Sequence, residues 1–178
     1  WANPPQQYSS QIFFRFSILQ ILNIAEPIDA IIYVADPSNL RRNLFLFSQI
    51  RDLEIPCILV LNRIDNLKEN GRSVAHQKLS DTFKCPVVLT SIKKGLGLDK
   101  LRESILQLNA ACSYQSKFEL KNEAYKELKK IDSIKNNYWA WLIAHHHHTH
   151  KIFSETDQKH IESVLKDQQL DAETVLKE

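Results

Sequence analysis

The feature that most constrains this chain is an apolar run that ends abruptly in polar residues. It reads Ile-Pro-Cys-Ile-Leu-Val-Leu-Asn-Arg-Ile-Asp and extends from Ile55 to Asp65. A short apolar run of this kind predicts a strand that is buried on both faces of a parallel sheet. Polar residues directly after such a strand lie at its carboxyl end, where open α/β sheets bind ligands. We therefore predict a ligand site at the end of this strand.

The two polar residues of this loop, Asn62 and Asp65, form an Asn-x-x-Asp pattern that can recognise guanine. The carboxylate of Asp65 can accept hydrogen bonds from the ring N–H and the exocyclic amine of the base, a pair of donors that adenine lacks. The amide of Asn62 can tie the loop to its neighbours and reach the far side of the base. The alternative is a structural turn capped by two Asx side chains. Both interpretations are open from these residues alone.

A second strand of the same type supports the ligand interpretation. Cys-Pro-Val-Val-Leu-Thr-Ser, from Cys85 to Ser91, is again apolar and ends in small polar residues. The two strand ends are one helix apart in the chain, so they bring Asn/Asp and Thr/Ser to the same edge of the sheet. Ser91 alone would more often be a structural turn residue, but the adjacent pocket favours a ligand contact.

The first 112 residues alternate between helical and strand patterns. The predicted helices are Ser9–Ala25, Leu40–Leu53, Val74–Phe83 and one from Leu98 to Cys112, and the predicted strands are Ile28–Asp36, Ile55–Leu61 and Pro86–Thr90. Such alternation predicts an α/β fold with parallel strands joined by right-handed crossovers. Three strands are few, so we expect a partial doubly wound sheet that lacks its N-terminal half. The apolar outer edge of the strand at Ile28–Asp36 would then favour self-association.

The pattern becomes all-helical after Ser113. Phe118–Lys135 is predicted as one lysine-rich helix with Tyr125, Leu128 and Ile131 buried, and Tyr138 to about His147 as a second helix. Ser-Glu-Thr-Asp at 154–157 resembles a capping box before a third helix. We therefore predict an α/β domain over residues 1–112 and an all-α domain over residues 113–178.

The composition restricts the functions that are available. The formal net charge of +2 is too small to favour nucleic acid as a partner. Three cysteines in apolar surroundings, Cys57, Cys85 and Cys112, predict buried free thiols. The chain contains no methionine and only three glycines, far below the usual ~7%. We expect from this an internal fragment of a longer protein.

Three further features have two interpretations each. The histidine-rich tract His145–His150 could bind zinc or nickel, but a solvated tract that binds metal only adventitiously is favoured. Trp139 and Trp141 are expected to be core anchors rather than a partner surface. Asp36 is expected to cap the loop after its strand rather than to contact a nucleotide.

These segments together resemble the cytoplasmic guanine-nucleotide-binding part of ferrous iron transport protein B, a bacterial membrane protein. The matching segments are Val34-Ala-Asp-Pro-Ser-Asn-Leu40, Arg42-Asn-Leu44, Ile55-Pro56 through Asp65, and Pro86-Val-Val-Leu-Thr-Ser-Ile-Lys-Lys-Gly95. The resemblance covers roughly residues 26–111. The helical tail matches by position and character, and in the family it modulates nucleotide binding and leads to the membrane region.

The resemblance implies a guanine site formed by Asn62, Arg63, Asp65, Thr90, Ser91 and Ile92. Asn62 and Asp65 would recognise the base, and the Thr90–Ile92 loop would offer backbone and hydroxyl groups to it. Arg63 occupies the place where many GTPases have a lysine over the base, and its guanidinium would stack there. GTP or GDP is the implied ligand.

The sequence departs from the family in one large respect. No Gly-x-x-x-x-Gly-Lys-Ser/Thr loop is present, so the phosphate-binding and magnesium-binding groups are missing. We expect Mg²⁺ only in the full-length protein, and no GTP hydrolysis by this chain alone. The resemblance implies regulation of iron(II) uptake at the cytoplasmic face of the bacterial inner membrane, with the membrane-embedded region of the same polypeptide as partner. The alternative is a degenerate, non-catalytic GTPase-like module for protein interaction.

Overall fold

Three short strands form the centre of the α/β part of the molecule. The computed structural model describes residues 28–108, 114–119, 125–145 and 153–167. Its strands are β1 (Ile31–Ala35), β2 (Cys57–Leu61) and β3 (Val87–Leu89). All pairings are parallel, in the order β1-β2-β3, and the register places Ile32 beside Ile58 and Val60 beside Val88. The predicted α/β class with a parallel sheet is confirmed.

Helices follow and connect these strands. They are α1 (Leu40–Arg51), α2 (Ile64–Glu69), α3 (His76–Phe83) and α4 (Leu98–Leu106), with short 3₁₀ turns at Pro37–Asn39 and Ile92–Lys94. The sequence predicted three of these helices with bounds that run up to six residues longer. Helix α2 was not predicted, because its single turn and a half follows the site loop directly. The predicted helix at Ser9–Ala25 lies outside the described residues.

The two faces of the sheet are covered to different degrees. On one face, Tyr33 of β1 stacks on Phe47 of α1, whose ring in turn meets Phe83 of α3 edge to face. On the other face, Ile58, Val60 and Val88 pack against Leu101 and Leu108. Side chains alternate between faces along a strand, so Ile32 and Val34 share this second face. They are 44% and 55% exposed, so α4 covers the centre of the sheet but not β1.

A glycine loop closes back onto β3 before α4 begins. Ser91 and Leu96 exchange backbone hydrogen bonds of 3.0 and 3.1 Å, which closes a small loop directly after the strand. Gly97 has φ +78°, and a Cβ at this position would lie 2.1 Å from the carbonyl oxygen of Leu89. Only glycine allows the backbone to pass so close to the strand.

A buried arginine links the end of α1 to two other segments. Arg51 is 1% exposed. Its Nε donates to the carbonyl of Phe83 at 3.0 Å, and its Nη1 donates to the carbonyl of Ile55 at 3.1 Å. The guanidinium also lies 4.5 Å from the ring centre of Tyr114, whose hydroxyl donates to Asp52. Burial of this charge is tolerated because its donors reach backbone acceptors and an aromatic face.

The chain divides by its contacts into two units, with residues 28–115 in one and the described residues from Ser116 onward in the other. In this second unit the helices are α5 (Tyr125–Leu128), α6 (Asn137–His145) and α7 (Glu155–Asp167). A single helix over Phe118–Lys135 was therefore a wrong prediction. Tyr125, Leu128, Ile131 and Ile134 are all buried, and this spacing of three suits successive turns with i→i+3 hydrogen bonds rather than a 3.6-residue period.

Aromatic packing forms the core of this helical unit. Trp139 is 7% exposed and meets Phe153 edge to face, while Trp141 packs against Phe118 and Tyr138. The expectation of a core anchor is confirmed for Trp139, whereas Trp141 is only partly buried. The hydroxyl of Ser154 accepts a hydrogen bond from the backbone N–H of Asp157 and so caps α7, as predicted. The carboxylate of Asp157 accepts a hydrogen bond from the hydroxyl of Ser133, whereas in a capping box it would accept one from the backbone N–H of Ser154.

Cys57 and Cys85 are buried free thiols, as predicted, whereas Cys112 lies outside the described residues. The histidine tract beyond the backbone of His145 also lies outside them. Among the helices that the structure describes, none combines the length and apolar character needed to cross a membrane.

Candidate functional site

The candidate site lies at the carboxyl ends of β2 and β3. Parallel strands end at the same edge of a sheet, so Asn62, which follows β2, and Thr90, which follows β3, become neighbours. The N–H of Thr90 donates to the carbonyl of Leu61 at 2.9 Å, and the N–H of Ile64 donates to the carbonyl of Thr90 at 3.1 Å. These backbone hydrogen bonds bring the two predicted halves of the site together.

The side chain of Asn62 links the two loops. Its Oδ1 accepts hydrogen bonds from Thr90 Oγ1 and from the backbone N–H of Ile92, both at 3.2 Å. Its own backbone N–H donates to the carbonyl of Ala35 at 2.9 Å, so the residue also contacts the end of β1. Asn62 therefore does what the sequence suggested for its amide: it ties its loop to the neighbouring strand ends.

Asp65 lies in the first turn of α2, with its side chain only 10% exposed. The nearby hydroxyl of Ser91 is the largest cause of the lowered pKa of Asp65, and the positive charge of Lys94, at 3.8 Å, lowers it further. The carboxylate is therefore ionised at neutral pH, the form that accepts hydrogen bonds. Lys94 itself pairs with Glu69 at 3.0 Å, which raises the pKa of Lys94.

Ser91 presents a buried hydroxyl beside this carboxylate. The residue is 1% exposed, and its Oγ makes no hydrogen bond of standard geometry to any group that the structure describes. A buried hydroxyl is normally paired. The neighbour of this hydroxyl is the carboxylate of Asp65, whose pKa it lowers. Ile92, the last predicted residue of this loop, is 59% exposed and offers an apolar side chain at the rim.

Arg63 adopts a left-handed backbone conformation, with φ 69°, between the two polar residues of the loop. Its Nη1 lies 2.8 Å from Oδ2 of Asp36, in the loop after β1. Oδ1 of the same carboxylate accepts from the N–H of Ser38 and so caps the 3₁₀ turn, which confirms the capping role expected of Asp36. The sequence did not reveal the ion pair, because its partners are 27 residues apart.

The residues present suit an organic ligand with hydrogen-bond donors better than a metal ion. Within the described parts of the chain, no group of three His, Cys, Asp or Glu side chains could hold a metal. Asp65 and Ser91 offer acceptors at the strand ends, and the edge of a guanine base presents adjacent N–H donors. The described side chains at the strand ends therefore offer hydrogen-bond acceptors to a ligand that carries donors.

A parallel sheet with flanking helices and polar loops at neighbouring strand ends belongs to the class of open α/β folds, whose ligands bind at the carboxyl ends of the strands. The family model described as ferrous iron transport protein B matches residues 17–105. This chain belongs to the ferrous iron transport protein B family.

Two curated relatives are similar to part of this chain. The Fe(2+) transporter FeoB of Escherichia coli K12 is 34% identical over 106 residues, which are 60% of this chain and 13% of the relative. The Fe(2+) transporter FeoB of Salmonella typhimurium is 39% identical over 82 residues, 46% of this chain and 11% of the relative. The matched regions thus span only about an eighth of the length of these transporters.

Solved structures share the fold. The cytosolic domain of the T. maritima FeoB iron transporter in its GMPPNP form gives a TM-score of 0.57 at 23% identity, covering 92% of this chain and 71% of that one. The cytosolic domain of L. pneumophila FeoB gives 0.59 at 22% identity, covering 85% and 68%. At this identity, the similarity establishes the fold.

Proposed function

We propose that this segment is the guanine-recognising part of a ferrous iron transporter and that nucleotide binding here regulates iron(II) uptake. The observation that carries the proposal is the arrangement at the strand ends. An ionised Asp65 lies beside the buried hydroxyl of Ser91, which lowers the pKa of that carboxylate, and Asn62 holds the adjoining loop in place through Thr90 and Ile92. Charged acceptors of this kind form the stronger class of hydrogen bond.

The relatives support the same ligand and process. The cytosolic domain of T. maritima FeoB is described both in a GMPPNP form and in a GDP form, and the curated relatives are Fe(2+) transporters. By extension, the ligand is GTP or GDP and the partner is the membrane-embedded region of the same polypeptide. The segment would then act at the cytoplasmic face of the bacterial inner membrane.

The test of guanine recognition is a change in base selectivity. Asp65→Asn replaces a charged acceptor by a group that both donates and accepts, so one of the two hydrogen bonds to the base is lost. We expect GDP to bind roughly tenfold or more weakly, and XDP, which has a carbonyl in place of the amine, to bind better than GDP. Competition against a fluorescent guanine nucleotide measures both affinities. Asp99→Asn, at a carboxylate that is 97% exposed, is the matched control.

The two outcomes separate the proposal from its rival. Unchanged GDP affinity in Asp65→Asn would remove guanine recognition from this site. An absence of any nucleotide binding by the full-length protein would favour the non-catalytic interaction module, for which the exposed Ile32 and Val34 offer an apolar surface. The transport role is tested by ferrous iron uptake in cells that depend on the full-length transporter, comparing Asp65→Asn with Asp99→Asn. We expect only the former to change the uptake rate at a given GTP level.

A further inference from the structure

The loop after β1 has no part in the guanine contacts proposed above, yet its conformation is fixed by several bonds. Asn43, on α1, donates through Nδ2 to the carbonyls of Asp36 and Asn39 at 2.9 and 3.1 Å. The hydroxyl of Tyr33 donates to Oδ1 of the same amide at 3.3 Å. The backbone of Asp36 is therefore held from β1 and α1, and the Ser38 cap holds one of its carboxylate oxygens.

The other carboxylate oxygen reaches across to the base-recognising loop. Oδ2 of Asp36 accepts from Nη1 of Arg63 at 2.8 Å. Arg63 lies directly between the two residues of the Asn-x-x-Asp pattern. Its backbone has a left-handed conformation, which is unfavourable for residues other than glycine. Without an external hold, this residue would more often adopt another backbone conformation. Asn62 and Asp65 would then be displaced relative to each other.

We propose that Asp36 is a positioning residue for the Asn62–Asp65 loop and acts through its ion pair with Arg63. For nucleotide affinity, this inference rests on the proposed function. For the order of the loop, it stands independently. The carboxylate of Asp36 thus has two roles. It caps the 3₁₀ turn that follows it, and it restrains the loop that contains Arg63. The Arg42-Asn43-Leu44 segment supports it, since Asn43 anchors the loop that carries the carboxylate.

The test keeps the cap and removes the ion pair. Asp36→Asn retains an acceptor for Ser38 but loses the charge that holds Arg63. In the full-length protein, we expect GDP affinity to fall roughly two- to fivefold, the range for an exposed ion pair. The fall should be larger for GDP than for IDP, which lacks the exocyclic amine and makes one bond fewer to Asp65. A general loss of stability would weaken both nucleotides equally.

A second measurement needs no nucleotide. Amide hydrogen exchange at Ile64, whose N–H donates to the carbonyl of Thr90, reports the closed loop directly. We expect roughly two- to fivefold faster exchange there in Asp36→Asn and in Arg63→Met. Arg63→Lys should restore most of the protection, and the double variant should be no worse than either single one. Asp99→Asn, which also removes an ion-paired carboxylate, is the matched control.

The results distinguish this inference from the proposed function. If the wild-type protein does not prefer GDP over ADP, guanine recognition fails, but the exchange data still decide the positioning role. The positioning role is overturned if Asp36→Asn exchanges the Ile64 amide no faster than Asp99→Asn does. It is also overturned if Asp36→Asn increases this exchange rate as much in an Arg63→Met background as it does in the wild type.

Discussion

Replacing the buried Arg51 should destabilise the sheet unit far more than replacing an exposed arginine of the same helix. Arg51→Met keeps most of the aliphatic volume and removes the donors to the carbonyls of Phe83 and Ile55. An unsatisfied buried acceptor costs about 1–3 kcal/mol. The Ile55 carbonyl is buried, whereas the Phe83 carbonyl is only partly so and can recover water. Loss of the guanidinium over Tyr114 adds about 0.5–2 kcal/mol.

One favourable contribution opposes these losses. Removing a buried charge also removes its desolvation penalty, which in some proteins balances the lost contacts. The expected net loss is therefore about 2–4 kcal/mol, since the partners left behind are backbone groups that cannot rearrange. Arg41→Met, on the exposed side of the same helix, should change stability by no more than about 0.5 kcal/mol.

The assay must report the sheet unit alone. Tryptophan fluorescence is unsuitable, because Trp139 and Trp141 lie in the helical unit. Amide hydrogen exchange in β2, followed as a function of denaturant, gives the free energy of opening of the fully buried strand. If Arg51→Met lowers this free energy no more than Arg41→Met does, the bonds to the two carbonyls do not stabilise the fold, and the reasoning is refuted.

Three further predictions concern the site, its pH dependence and the domain boundary. Thr90→Val keeps the side-chain shape but removes the donor to Asn62 Oδ1, so we expect a loss of about 1 kcal/mol in the free energy of unfolding and weaker GDP binding, measured by denaturation and titration. The pKa of Asp36 is lowered first by its hydrogen bonds from Ser38, so the native state releases this proton more readily than the unfolded state. The contribution of Asp36 to the free energy of unfolding is therefore complete above the ordinary pKa of an aspartate, about 4, and is lost as pH falls through the lowered value. Asp36→Asn should remove this contribution, so the free energy of unfolding of the variant should fall less steeply in acid. Limited proteolysis should cut first within residues 112–121, and early cleavage inside the sheet unit would contradict a domain boundary there.

The sheet could be predicted because its signal is local. The apolar run before Asn62 is fully buried as β2, and the polar residues after it and after β3 meet because parallel strands share a carboxyl edge. The position of Asn62 and Asp65 at the strand ends thus follows from the sequence alone, whereas their ligand stays a prediction.

Contacts between distant segments could not be predicted in the same way. The Asp36–Arg63 pair depends on how a complete crossover places one loop over another, and no local pattern indicates it. Arg51 did leave a signal that went unused, since it lies four residues after the buried Phe47 and so falls on the apolar side of α1. The prediction of one helix over Phe118–Lys135 was wrong because the spacing of three between Tyr125, Leu128 and Ile131 was interpreted as the buried face of an α-helix.

The bonds of Asn62 determine when the edge of the sheet becomes ordered. Its side-chain oxygen already accepts hydrogen bonds from Thr90 and from the N–H of Ile92. The two loops therefore lose their conformational entropy during folding and not when a ligand binds. A molecule that docks at this edge meets a rigid surface, and its association rate is set by diffusion and orientation. Loosening Asn62 would leave only a fraction of molecules competent to bind at any moment, and the apparent affinity would fall in proportion to that fraction.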